Sequence, residues 1–345
     1  MAGKSKQELN RETDPDPVLV SLREELTAQI RENEKLKRQT GDDDRLFNHI
    51  QDSIEALEPY RAVPIPRPQL KHAPLEALLC VTDAHSEEVV DAEEMEGLGS
   101  YNWATFLSRM ETLGRKTVEL TGIMRQASQV DQLTILMLGD WFLGQIHPDE
   151  LVGASMPLPP ALARASRQAA DLVLKLAAHF KSVRVVGVVG NHGRSTSKPV
   201  SKMSADRNWD YALYLIAKEF TRSADNVVWD IPRSLVKVVD VMGWRVAATH
   251  GDIAVRTHRV PYFGILDSMR KQQLSRRKTD VDFDYVYMGH WHCDTLLESD
   301  IVICPPMVGR QQFGQYRVHA KTVAAQRLDF FSQKYGPTVS WNIRL

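Results

Sequence analysis

Five apolar runs in this chain each stop at a short polar segment built from Gly, Asp, Asn and His, and this recurrence restricts the possible folds more than any other feature. The runs are LEALLCVTDAH (Leu75–His85), QLTILMLGD (Gln132–Asp140), SVRVVGVVGNH (Ser182–His192), WRVAATHGD (Trp244–Asp252) and VDFDYVYMGHWH (Val281–His292). Their length and their β-branched and aromatic content predict buried strands. Helical periodicity lies between them, over Trp103–Ala127, Pro159–Phe180 and Asp206–Arg222. Strands alternating with amphipathic helices predict an α/β layered domain with a large sheet core. In open α/β sheets the crevice beyond the carboxyl ends of the strands is where ligands bind, so side chains far apart in sequence can meet there.

The residues at those ends share one chemistry. Asp83 and His85 follow the first run, Asp140 the second, Asn191 and His192 the third, His250 the fourth, and His290 and His292 the fifth. His290 and His292 are two apart, so an extended backbone projects both imidazoles to the same side. Taken singly, each residue has an ordinary alternative: Asp83 as a helix cap, Asn191 as a turn residue, His250 as a satisfied core histidine. Together, carboxylates, imidazoles and one amide suit divalent Mn, Fe, Zn or Mg ions, and the three scattered cysteines, Cys80, Cys293 and Cys304, argue against a thiolate site. Seven side chains, Asp83, His85, Asp140, Asn191, His250, His290 and His292, are too many for one ion. They suffice for two ions if one carboxylate bridges, at the roughly 3.5–4 Å separation that suits displacement at phosphorus.

The ordered set Asp-x-His, Gly-Asp, Gly-Asn-His, His-Gly and Gly-His-x-His, spanning Asp83 to His292, resembles the signature of the calcineurin-like metallophosphoesterase superfamily. The resemblance implies a β-sandwich flanked by helices, four layers in all. It also implies that Asp83, His85 and His292 bind one ion, that Asn191, His250 and His290 bind the other, and that Asp140 bridges, with manganese the expected metal. His192 matches the position that protonates the leaving oxygen or steadies the phosphate. One departure stands beside the motif: Gly193 follows Gly-Asn-His where many members carry an acid, so Asp171 or Asp252 is expected to take over the orienting of His192. WFLG after Asp140 also replaces the Asp-Arg-Gly of protein Ser/Thr phosphatases, which counts against a phosphoprotein substrate.

GNHGR (Gly190–Arg194) leading into a Lys/Ser-rich loop and then an NWDY helix (Asn208–Tyr211) is similar to bacteriophage-encoded phosphoesterases grouped with DNA repair exonucleases, and that similarity implies a nuclease. Candidate backbone contacts are Arg194, Lys198, Lys202 and Arg207, which leave the Gly-Asn-His strand, and Arg256, which follows the His250 turn. The formal charge of −1 neither favours nor excludes a nucleic-acid partner, DNA being the expected one. Trp141 and Phe142 are candidates for stacking on a base or for the core. The rival readings are a phosphatase or phosphodiesterase on small phosphoesters, and a non-catalytic assembly factor acting through its N-terminal helices.

Residues 1–58 read as a helical extension, 59–74 as a Pro-rich linker and 75–345 as the metallophosphoesterase domain. Within the extension, Pro17–Gln39 places Leu19, Leu22, Leu26 and Leu36 near heptad spacing with Asn33 at an inner site, and a second helix is expected from Arg45 to Leu57 after GDDD. That pattern makes a homo-oligomer through the N-terminal helix an expectation. A polar N-terminus and the lack of any apolar run of membrane-spanning length predict a cytoplasmic protein without membrane attachment.

Overall fold

The computed structural model of the chain describes residues 17–56, 73–146, 148–196, 198–200, 202–254, 261–312 and 322–345. Two compact units divide the chain, Met1–Pro68 and Gln69–Leu345. In the first, a single helix, α1, runs unbroken over Pro17–Glu55. The two helices expected from the sequence are therefore one. Gly41 and the acidic run after it do not interrupt it, because one helical glycine costs only about 1 kcal/mol relative to alanine. Most of the expected linker, residues 59–72, lies outside the described residues.

The second unit is mixed α/β, built around two sheets. In chain order its elements are β1 (Leu75–Val81), α2 (Trp103–Arg125), β2 (Val130–Met137), α3 (Pro148–Gly153), α4 (Leu158–Ala177), β3 (Ser182–Gly187), α5 (Trp209–Phe220), β4 (Val227–Asp230), β5 (Val236–Val241), β6 (Trp244–Thr249), α6 (Pro261–Arg276), β7 (Tyr285–Met288), β8 (Thr295–Leu297), β9 (Ile301–Ile303), β10 (Ala325–Ser332) and β11 (Gly336–Arg344). The first sheet has the order β11-β10-β1-β2-β3-β4, and the second β5-β6-β7-β9-β8. Strands β1 to β4 are parallel, as are β6, β7 and β9, with antiparallel strands at the margins.

The strand period of two explains how one strand serves two cores. On β1, Leu75, Ala77, Leu79 and Val81 join the side chains of α2 and α4, whereas Leu78 and Cys80 point the other way. Those two meet Leu136, Leu138, Val186 and Val188 of the same sheet and Val239, Val241, Val246, Ala248, Tyr287 and Val302 of the second sheet. The second sheet uses its other face, through Ala247, Val286, Met288, Ile301 and Ile303, to cover Ile265 and Met269 of α6. With both faces covered, β1 reads as an uninterrupted buried run and not as an alternating one.

The consequence for the site lies in strand direction. Because β1, β2 and β3 are neighbours in one sheet and β6 and β7 neighbours in the other, all five carboxyl ends open where the two sheets meet. Backbone bonds tie the ends together: the Leu138 amide donates to Val81 O, Val188 to Met137 O, and Gly289 to His250 O. Among the described residues no helix is long and apolar enough to cross a membrane.

Candidate metal centre

The residues after β1, β2, β3, β6 and β7 converge. Ligand atoms of Asp83, His85 and His292 lie within 4.8 Å of one another, as do those of His85, Asp140 and His192, and those of Asp140, His250 and His290. His85 and Asp140 each belong to two of these groups, so the site is one continuous set of donors. His292 Nε2 is 3.2 Å from Asp83 Oδ1, and His250 Nε2 is 2.9 Å from Asp140 Oδ2 and 3.1 Å from Asn191 Oδ1. The rings pack edge to face, with centroids 4.8 Å apart for His85 and His192 and 5.0 Å for His250 and His290. Asp83, His85, Asp140 and His250 are buried.

Backbone conformation aims these groups. Asp83, His85, Asp140, His290 and His292 all have left-handed φ, between 42° and 66°. Such backbone costs of the order of 1–3 kcal/mol per residue and persists only where the surroundings over-determine it. The surroundings do so here. Asp83 accepts from Thr82 Oγ1 at 2.8 Å and from the His290 amide at 3.1 Å, while Asp140 O accepts from the amides of Ala84 and His85. The motif glycines are needed for the same close approach. A Cβ on Gly190 would strike the Asp140 carboxylate, and one on Gly289 would strike Thr82 Oγ1 and the Asp83 carboxylate.

A side chain absent from the sequence reading locks the β2 and β3 ends together. Asp210, in the first turn of α5, accepts backbone N–H bonds from Asp140 (3.0 Å), Trp141 (3.1 Å) and Gly190 (2.9 Å). Asn208 caps α5 by accepting from the Asp210 amide and also donates to Gly190 O. Its only sequence signal was the Asn-x-Asp pattern of a helix start, which says nothing of where that helix begins relative to the site.

His192 meets a second unforeseen residue. Its amide donates to Asp140 Oδ1 at 2.8 Å, its Nδ1 lies 2.7 Å from Leu143 O, and the same nitrogen is 3.0 Å from Glu150 Oε1. A carbonyl oxygen can only accept, so Nδ1 carries a proton. The carboxylate beside His192 is thus Glu150, not the Asp171 or Asp252 expected from sequence; Asp171 pairs with Lys175 on α4. Gly193 has no room for an acid, because its Cβ would strike Asn208 Oδ1.

Electrostatics sort the histidines. Burial opposes charge on His250, but Asp140 at hydrogen-bond distance outweighs it and pushes the pKa up to about 10. Burial likewise opposes charge on His192, yet Asp140 and Glu150 raise it to about 9. Burial, reinforced by the His250 charge, pushes His290 down to about 3, and burial with the charges of His192 and His292 holds His85 well below the ordinary imidazole range. Two donor sets fit a cation. His250 Nδ1 lies 2.7 Å from Leu138 O and therefore donates, so Nε2 faces the oxygens of Asp140 and Asn191 with its lone pair unless it binds a second proton. His85 is buried with neither ring nitrogen hydrogen-bonded among the described residues. Buried polar groups normally find partners, and three converging acceptors with an unbonded imidazole fit divalent ions.

The remaining expected residues divide. Arg194 is half-buried with Nε donating to Thr196 O at 3.0 Å, and the base of its loop is closed by the Ser195 amide donating to Arg207 O. Lys198, Lys202 and Arg207 are exposed, whereas Arg256 lies outside the described residues. Trp141 and Phe142 are buried in the helix-side core and present no face to a base.

No family model matches this chain, and neither does any curated protein. Among solved structures it is similar to a zinc complex of Vps29 from Entamoeba histolytica, at 9% identity and TM-score 0.31 over 78% of this chain and 99% of that one. It is similar to a dimetal phosphatase from Danio rerio at 11% identity and TM-score 0.31, over 79% and 99% of the two chains. It is also similar to an Old Yellow Enzyme from Pichia sp. at 12% identity and TM-score 0.25, over 63% and 59%. Scores at this level carry no argument about function, and the site stands on its own geometry.

Proposed function

We propose that this chain is a dinuclear metallophosphoesterase that hydrolyses phosphodiester bonds, built on the four-layer helix–sheet–sheet–helix sandwich of the calcineurin-like superfamily. The observation that carries the reading is the convergence of seven carboxylate, imidazole and amide donors from five strand ends on one largely buried site. Asp83, His85 and His292 would hold one ion, Asn191, His250 and His290 the other, and Asp140, which belongs to both sides, would bridge. Two divalent ions, manganese the preferred pair, would supply acidified water and neutralise the phosphate oxygens. His192 stands next to ligand Asn191 with Nδ1 committed to Leu143 O, so Nε2 is the atom that would hand a proton to the leaving oxygen. Glu150 steadies that protonated ring.

Within this class a nucleic-acid backbone is the preferred substrate, DNA ahead of RNA. Support comes from Arg194, Lys198, Lys202 and Arg207 on a loop that starts at a candidate ligand and is tied back at its base. Metal analysis and turnover of an aryl phosphodiester test the class. Wild type should carry two ions per chain and turn over, and Asp140→Asn should lose both ions together. An Asp140→Asn variant with two ions and wild-type turnover would remove the bridge assignment, and metal-free, inactive wild type would leave the assembly-factor reading. Neutralising the four basic residues should weaken DNA cleavage in a salt-dependent manner and spare the aryl diester; equal losses on both would transfer the substrate to the small phosphoesters.

A further inference from the structure

Seven apolar residues of α1 share one seam, with Val18, Ile30 and Leu46 at positions beside it and Val20 off it. Starting from Leu22 and stepping alternately by four and three residues gives Leu22, Leu26, Gln29, Asn33, Leu36, Thr40, Asp43, Phe47, Ile50 and Ile54, and Leu19 extends the series at its start. Six of those ten positions are apolar, on both sides of the polar stretch Thr40 to Asp43, a register that carries through because the expected break at GDDD is absent. Every described apolar member of the seam is exposed, from 46% for Ile50 to 75% for Phe47. Apolar residues at alternating four- and three-residue spacing on both sides of the GDDD segment match the 3.5-residue periodicity of a two-stranded coil better than the wider 3.6-residue stripe that packs on a globular core.

Charge narrows the occupant. The helix carries six basic and nine acidic side chains, a net of −3, which opposes docking on an anionic membrane surface or on nucleic acid. Pairing with an identical helix in parallel suits it better. Glu32 then flanks Lys37 of the other copy, and the remaining flanking juxtapositions, Val18 with Arg23, Glu25 with Ile30, Gln39 with Asp44 and Leu46 with Gln51, bring no like charges together. Asn33 meets Asn33 at an inner position, the arrangement that fixes register and favours two strands. Asp43 meets Asp43, a repulsive layer that weakens the coil. We infer that α1 is a parallel two-stranded coiled coil with a second copy of this chain, its register set by Asn33 and its strength held down by Asp43. The inference is independent of the phosphoesterase reading.

Sedimentation of the full-length chain tests it. The expected particle has twice the 39.1 kDa chain mass, and Leu26→Glu with Leu36→Glu should return it to one chain with an unchanged melting transition for the sheet domain. Asp43→Leu should tighten the dimer by at least about tenfold. Leu36→Cys should cross-link the two copies under mild oxidation, since a parallel register sets the two positions face to face. A wild-type particle of single-chain mass at about 100 μM would overturn the inference. So would a dimer that survives the double glutamate substitution, one indifferent to Asp43→Leu, or one that Leu36→Cys fails to cross-link.

Discussion

Asp210→Ala tests whether the centre is held by its backbone anchors as much as by its donors. The Asp210 carboxylate receives three amide bonds at 2.9–3.1 Å from Asp140, Trp141 and Gly190. At about 1.5–3 kcal/mol for each hydrogen bond to a charged group, they sum to roughly 4–9 kcal/mol. Even with those bonds in place, burial, and then the Asp140 carboxylate, push Asp210 up from 3.8 to about 6. Alanine removes the buried charge but strands three buried donors at about 1–3 kcal/mol each, so a net loss of about 2–5 kcal/mol is expected. For a domain of this size the loss lowers Tm by roughly 5–15 °C. Differential scanning calorimetry with excess chelator measures the protein term alone, and repetition with manganese measures the coupling, because the β2 and β3 ends that carry Asp140 and Asn191 lose their common anchor. Asp210→Asn keeps the shape and one acceptor oxygen, and it should fall between wild type and Asp210→Ala. A Tm within about 1 °C of wild type for Asp210→Ala would refute the anchoring argument.

Glu150→Gln should slow hydrolysis of a diester with a poor alkoxide leaving group about tenfold and an aryl diester less, and in a His192→Ala background it should cost nothing further; additive losses would show that Glu150 does not act through His192. Gly193→Asp, which installs the acid many superfamily members carry, should destabilise by about 1–3 kcal/mol because its Cβ strikes Asn208 Oδ1. A neutral or stabilised variant in urea unfolding would contradict the steric argument. Glu76, buried on β1 and accepting from Thr134 Oγ1 at 2.6 Å, has its pKa raised chiefly by burial. Its protonated form is the one the fold prefers, so its contribution is present at low pH and lost as pH rises through the raised value. Glu76→Gln should therefore melt above wild type at about pH 8, with the gap closing toward about pH 4; a gap independent of pH would show that the carboxyl does not titrate in the fold.

How much of this was legible beforehand follows from the range of the interactions. The strands were readable because burial on both faces leaves continuous apolar runs, and the candidate donors because each stands within four residues of a strand end. Sequence placed the seven donors on five separate segments, while their convergence depends on β1, β2, β3, β6 and β7 ending at one crevice. Asp210 and Glu150 were out of reach for a different reason. Asp210 acts on amides up to 70 residues away, and Glu150 lies 42 residues before His192 in a short helix with no periodicity of its own. Trp141 and Phe142, read as base-stacking or core residues, are core, buried in one cluster with apolar side chains of α2 and α4. The break expected at GDDD failed because a local propensity penalty of about 1 kcal/mol is small beside the cooperativity of a long helix.

The left-handed backbone at Asp83, His85, Asp140, His290 and His292 has a consequence for anyone who would retune this centre. Asparagine, aspartate and histidine are the non-glycine residues that enter that region most readily. They are also oxygen and imidazole donors, so the conformation and the coordination chemistry select the same short alphabet. Attempts to convert the site to thiolate or β-branched lining meet the main chain before they meet any ion. Engineering for another ion is therefore better directed at residues behind the donors, such as Asp210, Glu150 and Thr82, where ordinary backbone leaves the choice of side chain open.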